Sequence, residues 1–475
     1  MDRQPLVPGG AAGPLRAVLI AFEFPPVATG GVHRALALAE ELPDSGIELD
    51  VVTVRAQDYA DWAPGRLDPS LGVRVSAERV HRIPSGFPPA YWRATASKVG
   101  FRLAQYAHLG DPVSLFWRGP LFAELDRIVA ERRPHVLLAT APPFGVAVLA
   151  RAAARRHRIP WVVDWRDPWA LWGHVPFASY AHYAYARHQE GRILAEANAS
   201  VATSHVTRED WLGSQPDLDP DRLVTIYNGF DAGACDSRGR GGDPEPRPSD
   251  DGRRRIVYVG SFYYDPRVRE AMLRPPWRRA PQQVLFYRPR REDWRYRSPY
   301  HFLCGLRRFA DRYPDARDRL RVEFAGAVPS WLPSMLEETG TAPLVTLHGL
   351  VSHERSLALQ RGADAVLLTS ARVIGGRDYS IAGKLYEYFG LRRPILGVLT
   401  DGAMRDLVSR SGLGMLADPD DPEGIAAQIA RVACSPCDAL PVTPDDAFLA
   451  GFDRRHTAAA MARVLRRAAT EGYRG

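Results

Sequence analysis

The feature that most constrains the fold of this 475-residue chain is an alternation of short apolar segments with helical segments. The stretches between the apolar runs have the spacing or the alanine- and arginine-rich composition of helices. In the first half, the apolar runs of strand length lie at 17–24, 48–54, 135–140, 161–165, 200–204 and 223–228. Strands that alternate with helices pair in parallel and are covered on both faces. This half therefore predicts a doubly wound α/β domain.

A second series of the same kind follows a segment rich in glycine, proline and charge, which is typical of a linker. Its apolar runs, predicted as strands, lie at 255–261, 284–287, 321–326, 344–349, 365–370 and 394–398. The chain ends in a basic amphipathic helical pattern over 454–470. We therefore predict an N-terminal Rossmann-like domain (1–231), a linker (232–254), a second Rossmann-like domain (255–445) and a C-terminal helical segment (446–475). Ligands of such sheets bind at the carboxyl ends of the strands, so the cleft between the domains is the expected site.

Composition narrows the class of protein. A content of 45% hydrophobic and 25% charged residues is typical of a soluble globular protein, and no apolar run is long enough for a membrane span. The start has no apolar signal-peptide segment, which predicts a cytoplasmic protein. Cys434 and Cys437 form a lone CxxC without a second pair, so we predict no metal site. The net charge of +7 admits nucleic acid, anionic membrane or a phosphorylated small molecule as partner.

Gly30 and Gly31 follow the first predicted strand and precede a helix. Backbone amides and the positive helix end at such a position can approach a phosphate closely, although a purely steric turn has the same pattern. The G-x-G-x-x-G fingerprint of dinucleotide-binding proteins is absent there.

Lys384 is one of only two lysines among 62 basic residues. It lies in the first turn of a predicted helix, where a cation opposes the positive end of the helix dipole, and a bound diphosphate would reverse that penalty. Gly383 lets the backbone approach a ligand, and Glu387, one turn onward, can accept hydrogen bonds from a ribose. Adjacent phosphate and ribose contacts indicate a nucleotide; the alternative is chance survival of a lysine.

In order along the chain, several segments resemble a GT-B glycosyltransferase of the family 4 type: "FEFPPVATGGVHRALALAEEL", "NGFD", "YVGSFY", "ADAVLLTS" and "GKLYEYFGLRRPILGV". The "RDPW" stretch at 166–169 is similar to the group that acts in polysaccharide and natural-product assembly. The resemblance implies a retaining hexosyltransferase that uses a nucleoside-diphosphate sugar, with no other cofactor. It also implies that the GG loop and the K-x-x-E segment bind the donor and that the final helix returns to the first domain. Helix N-termini and Lys384 could stabilise the leaving diphosphate without a metal.

The chain departs from the pattern of this family at several positions. Tyr379 stands where many members have the first glutamate of E-x7-E, which usually contacts the donor sugar. Ser261 follows Gly260, where an arginine is common. Substitutes for this arginine are Arg267 or the cluster Arg288, Arg290 and Arg291. The donor-binding candidates are thus Gly30, Gly31, Ser261, Arg267, Ala382, Gly383, Lys384 and Glu387.

The segment "DWRDPWALWGH" supplies the catalytic candidates, Arg166 and Asp167, which replace the catalytic-loop histidine of several family members. Asp164 and Asp167 fit equally well as residues that cap a helix or accept hydrogen bonds at a strand end. His174 is a further candidate in the same loop.

Two basic and aromatic segments, 87–119 and 286–302, allow more than one interpretation. The first suits an acceptor-binding or membrane-surface element, or an ordinary helix pair that covers the sheet. The second would offer stacking and phosphate contacts to nucleic acid, which the tandem α/β pattern disfavours. We expect a nucleotide-sugar donor and a small-molecule, glycan or lipid-linked acceptor, with a peripheral membrane contact as an option. The alternatives are another GT-B enzyme, such as a sugar-nucleotide epimerase, and a catalytically lapsed scaffold subunit.

Overall fold

The computed structural model describes residues 13–68, 71, 74–171, 173, 176–235, 252–262, 265–278, 283–435 and 442–474. The first domain holds a seven-stranded parallel sheet in the order β3-β2-β1-β4-β5-β6-β7. Its strands are β1 Leu15–Ile20, β2 Ile47–Val54, β3 Val80–Ile83, β4 Val136–Ala141, β5 Trp161–Trp165, β6 Ala199–Ala202 and β7 Leu223–Thr225. The central strands are apolar on both sides because helices cover both faces, and every residue of β4 and β5 is buried.

The helices of this domain connect successive strands or extend from them. They are α1 Val32–Glu41, α2 Tyr59–Trp62, α3 Pro89–Thr95, α4 Lys98–Ala107, α5 Val113–Phe116, α6 Arg118–Arg132, α7 Gly145–His157, α8 Tyr180–Glu196 and α9 His205–Ser214. A short helix, α10 Ala232–Cys235, begins the predicted linker, most of which lies outside the described residues.

The second domain holds a six-stranded parallel sheet in the order β11-β10-β8-β12-β14-β15 and a two-stranded antiparallel sheet of β9 and β13. Its strands are β8 Arg254–Val259, β9 Arg291–Asp293, β10 Leu320–Ala325, β11 Val345–Gly349, β12 Ala365–Thr369, β13 Arg372–Ile374, β14 Ile395–Val398 and β15 Gly414–Ala417. Its helices are α11 Pro266–Leu273, α12 Tyr300–Arg312, α13 Pro314–Arg317, α14 Leu332–Glu338, α15 His353–Arg361, α16 Gly383–Leu391, α17 Ala403–Arg410, α18 Pro422–Cys434 and α19 Asp446–Ala450. The predicted α/β class with two doubly wound sheets is confirmed.

The last helix, α20 Arg454–Glu471, packs against the first domain although it follows the second in the chain. Its Met461 and Leu465 are fully buried in one cluster with Val136 and Leu138 of β4. The crossing is fixed by backbone hydrogen bonds around Phe230, whose N–H donates to the Phe452 carbonyl at 2.8 Å. The first domain thus completes its core with the final helix of the chain.

One predicted strand does not form. In the run 284–287, Val284 and Leu285 are exposed, and Tyr287 makes only a single bridge to Phe177 of the first domain. A run of four apolar residues is too short for its periodicity to distinguish a strand from a surface segment. The neighbouring β9, which the apolar pattern did not indicate, pairs with β13 instead.

Candidate functional site

The GG loop lies where the first strand leads into α1, and Gly31 is the N-cap residue of that helix. A Cβ on Gly30 would meet open space, whereas a Cβ on Gly31 would overlap the guanidinium of Arg166. Arg166 donates to the Gly31 carbonyl at 3.2 Å and to the Pro142 carbonyl, and it pairs with Glu23 at 3.3 Å. Arg166, a catalytic candidate from the sequence, therefore braces the GG loop from behind.

A buried ion pair supports the same wall of the cleft. Asp164 is fully buried, and its carboxylate accepts from Arg34 at 2.6 Å and from Thr140 at 3.2 Å. Arg34 also donates to the Tyr227 carbonyl and to Asn228 Oδ1, each at 3.0 Å. The "NGFD" segment therefore begins at a residue, Asn228, that binds the buried arginine. Sequence reasoning missed Arg34; its only signal was a charge on the apolar face of α1.

Asp167 lies on a small cavity between the two domains. The cavity has a volume of about 60 Å³ and is lined from the first domain by Arg166, Asp167, Thr203 and Asn228, and from the second by Tyr379, Ser380, Ile381 and Tyr386. Asp167 is only partly buried. The aspartate thus faces the segment that leads into α16. His174, the further candidate in the same loop, lies outside the described residues.

Lys384 lies in the first turn of α16, whose N-cap residue is Ala382. Its Nζ is 3.5 Å from the centroid of the Tyr258 ring and packs beside Gly260, where φ is +115° and any Cβ would crowd the ammonium. Burial lowers the pKa of Lys384 to about 7, and the nearby Glu387 carboxylate opposes that shift. A cation at a helix N-terminus is unfavourable on its own, and a bound anion would reverse that penalty.

Glu387 lies one turn further along α16 and accepts a hydrogen bond from Gln360 Nε2 at 2.9 Å. It also acts across the cleft on His33, the third residue after Gly30. Burial, Arg454 and His353 lower the pKa of His33, whereas Glu387 raises it. Glu387 of the second domain is therefore close enough to the start of α1 to act on its charge.

The remaining donor-binding candidates lie around the first strand of the second domain. Ser261 follows Gly260 in the loop after β8, and its Oγ accepts from the Ala327 N–H at 3.2 Å. Arg267 lies in α11, and its side chain is outside the described structure. Arg290 is engaged elsewhere, because it binds Asp210 of the first domain at 2.7 Å. Arg290 is thus a tie between the domains.

A polar cluster that sequence reasoning missed lies beside Tyr379. Glu292 of β9 and Asp378 are buried, and Arg297 Nη2 lies 3.8 Å from Glu292 and 3.7 Å from Asp378. Burial raises the pKa of Tyr379 well above its usual value, and the charges of Asp167 and Glu292 act in the same direction. The antiparallel pairing of β9 with β13 therefore brings charged groups to the position where the first glutamate of E-x7-E is absent.

In the described part of the chain, no group of three or more His, Cys, Asp or Glu residues is arranged to hold a metal ion. Nor does any described helix combine the length and apolar content that a membrane crossing requires.

Known proteins resemble this chain in part of its sequence and in its fold. Residues 29–229 match the family model described as "Glycosyl transferase 4-like domain". No curated protein sequence matches the chain.

Three solved structures with low sequence identity share the fold over almost the whole chain. Sucrose-phosphate synthase from Thermosynechococcus elongatus is 14% identical with a TM-score of 0.53, covering 96% of this chain and 97% of that one. HepE from Anabaena, in complex with UDP and glucose, is 14% identical with a TM-score of 0.50, covering 95% of both chains. The lipopolysaccharide outer core galactosyltransferase WaaB is 13% identical with a TM-score of 0.53, covering 95% and 99%. The predicted GT-B fold is confirmed.

Proposed function

We propose that this GT-B protein, whose first domain is glycosyl transferase 4-like, transfers a hexose from a nucleoside-diphosphate sugar to an acceptor hydroxyl. We further propose that the anomeric configuration is retained and that no metal ion takes part. The observation that carries the proposal is the place of Lys384: a partly buried ammonium at the N-terminus of α16, with Glu387 on the next turn and near His33 of α1. This arrangement fits a diphosphate and a ribose side by side.

The second domain supplies the donor-binding groups. In the reaction, the bond between the anomeric carbon and the diphosphate oxygen breaks, and negative charge develops on the departing diphosphate. The Lys384 ammonium and the N–H groups around Ala382 and Gly383 stabilise that charge, because preorganised donors lower the barrier where charge develops. Glu387 accepts hydrogen bonds from the ribose hydroxyls. We assign Ser261 and Arg267, on the loop and the helix after β8, to the binding of the same donor.

The first domain supplies the acceptor side. Gly30 leaves space for a phosphate at the start of α1, and Arg166 holds the loop in that position. Asp167, on the wall of the small cavity, orients the acceptor hydroxyl and stabilises the positive charge that develops at the anomeric carbon. The acceptor oxygen forms the new bond to that carbon, and its proton passes to the departing diphosphate.

The test begins with a thermal-shift screen of UDP-, GDP- and dTDP-sugars, because a ligand selective for the native state raises the apparent stability. UDP-glucose comes first, since the HepE structure holds UDP and glucose. The stabilising donor is then incubated with glycan, small-molecule and lipid-linked acceptors, and release of the nucleoside diphosphate is followed. Transfer to an acceptor would support the proposal. Isomerisation of the donor without acceptor would favour an epimerase instead. Binding without turnover on any acceptor would favour a scaffold subunit.

A further inference from the structure

Helix α4 lies on the surface of the first domain and has an unusual pattern of exposure. None of its described side chains is buried, although it carries several large apolar residues. Val99 is 70% exposed and Leu103 is 65% exposed, and the two lie one turn apart on the same face. Apolar side chains this exposed at helical spacing indicate a surface that binds a partner.

The second domain adds to this surface. In the segment before β9, Val284 is 54% exposed and Leu285 is 62% exposed. The next residue, Phe286, lies under the guanidinium of Arg102 at 5.3 Å, and Arg102 precedes Leu103 on α4. The two apolar parts therefore adjoin across the domain boundary. We call Val99, Leu103, Val284 and Leu285 the apolar patch.

The two sequence segments that carry the apolar patch are basic. The sequence from 89 to 110 contains no Asp or Glu, and the sequence from 271 to 291 contains none either while it carries six arginines. Among the described residues, Arg93, Arg274 and Arg278 are exposed in these two segments. Exposed apolar side chains in segments that carry exposed arginines match a membrane surface with anionic headgroups. An acidic protein surface fits less well, because it would leave the four aliphatic side chains of the apolar patch without an apolar partner.

We propose that the apolar patch rests on a bilayer that contains anionic lipids, with its aliphatic side chains at the boundary between headgroups and acyl chains. Trp277, which is 83% exposed in the same segment of the second domain, is a residue type that prefers this boundary. Nucleic acid fits less well, because aliphatic side chains such as Val99 and Leu285 offer no ring on which bases stack. Since both domains contribute residues to the apolar patch, membrane binding would also restrict the position of one domain relative to the other.

The experiment is co-sedimentation of the full chain with phosphatidylcholine vesicles, with and without phosphatidylglycerol. No donor or acceptor is added, so the result does not depend on the proposed transferase activity. We expect binding to the anionic vesicles that weakens as salt is raised. The pair Val99→Glu and Leu103→Glu in one chain, and separately Leu285→Glu, should each lower the partition coefficient by about tenfold or more, because apolar burial is replaced by a repelled charge.

Leu350→Glu is the matched control. Leu350 is 82% exposed, at the end of β11 in the second domain and outside the apolar patch, so this variant should bind vesicles as the wild type does. All four positions are exposed, and unchanged melting temperatures will show that the variants fold. Equal binding to neutral and anionic vesicles, or wild-type binding by the patch variants, would overturn the proposal. Binding of an oligonucleotide but of no vesicle would overturn it in favour of a nucleic-acid surface.

Discussion

At the scale of single residues, Lys384 gives the sharpest prediction. Its pKa is about 7 without ligand because burial disfavours the ammonium, and a bound diphosphate favours the charged form and raises that pKa. Affinity for the nucleoside diphosphate should therefore be full below pH 7 and fall as the pH rises above it. Lys384→Ala should lose about 1.5–3 kcal/mol, which is roughly 10- to 150-fold in affinity. Calorimetric titration between about pH 6.5 and 8.5 measures both effects.

The controls for this prediction separate the phosphate from the ribose. Lys384→Ala should bind the bare nucleoside almost as the wild type does. Glu387→Gln should lower the affinity for both the nucleoside and the nucleoside diphosphate. Lys98→Ala replaces the only other lysine, on α4, and should change neither affinity. If a folded Lys384→Ala protein keeps its affinity for the diphosphate, the lysine has no part in donor binding.

Asp167 gives a second prediction at this scale. If it serves the reaction from the wall of the small cavity, Asp167→Asn should lower the turnover number by about 100-fold or more. The side chain keeps its size and is only partly buried, so the melting temperature should change little. Steady-state kinetics and thermal unfolding of the same preparation measure the two quantities. If the variant loses its fold while the fraction that stays folded has normal specific activity, Asp167 acts as a helix-capping residue and not in the reaction.

The sequence alone identifies some residues of the proposed site but not others. The glycine pair and a lysine in an arginine-rich chain are unusual choices, so Gly30, Gly31 and Lys384 could be selected from the sequence. Arg34 could not, because its partner Asp164 lies 130 residues away and only the fold makes the pair visible. The same holds for Glu292 and Arg297, which the pairing of β9 with the distant β13 brings near Tyr379.

At the scale of elements, the junction between the GG loop and α1 predicts a contrast between neighbouring glycines. Gly31→Ala should displace the Arg166 guanidinium and cost about 1–3 kcal/mol, as overpacking typically does. The methyl group of Gly30→Ala would lie in open space, so this variant should keep the melting temperature of the wild type. It should weaken only the binding of a donor that approaches Gly30. Thermal unfolding and donor titration of both variants test the contrast. Equal destabilisation by the two substitutions would contradict the role of Arg166 as a brace.

Helix α16 leads to a prediction about metals. In the proposed mechanism, its free N–H groups and Lys384 supply the positive charge that a metal would otherwise bring to the diphosphate. Transfer activity should therefore survive EDTA at full rate. The assay is donor turnover before and after chelation, with Mg²⁺ or Mn²⁺ restored in a parallel sample. Strict dependence on the restored ion would contradict the mechanism.

The elements that the sequence predicted well are the long, buried ones. Continuous apolar runs such as 135–140 and 365–370 became central parallel strands, because a strand covered on both faces needs apolar residues throughout. Short edge strands were harder: β3 alternates weakly and β9 is a charged triplet, Arg291–Asp293. Their pairing depends on partners supplied by tertiary structure, which local patterns do not contain.

At the scale of the whole molecule, the two domains are joined by more than the chain between them. Arg290 binds Asp210, and His205 Nε2 lies 2.8 Å from Asp406 Oδ2, so both contacts cross the domain boundary. The final helix crosses it as well. Sequence could give the two α/β units, because each has its own alternating pattern. It could not give these contacts, since polar surface residues carry no signal of what they meet.

The last prediction concerns the core that α20 completes. Met461 is fully buried against the first sheet, so Met461→Ala should destabilise that domain by about 2–5 kcal/mol, the usual range for a large-to-small core substitution. Hydrogen exchange should therefore quicken in β4 and β5 of the first domain and stay nearly unchanged in β12 and β14 of the second, although α20 follows the second domain in sequence. Arg463→Ala, on the exposed face of the same helix, is the control and should change the free energy of unfolding by less than about 0.5 kcal/mol. Faster exchange confined to the second domain would mean that the helix stabilises the domain it follows and not the one it contacts here.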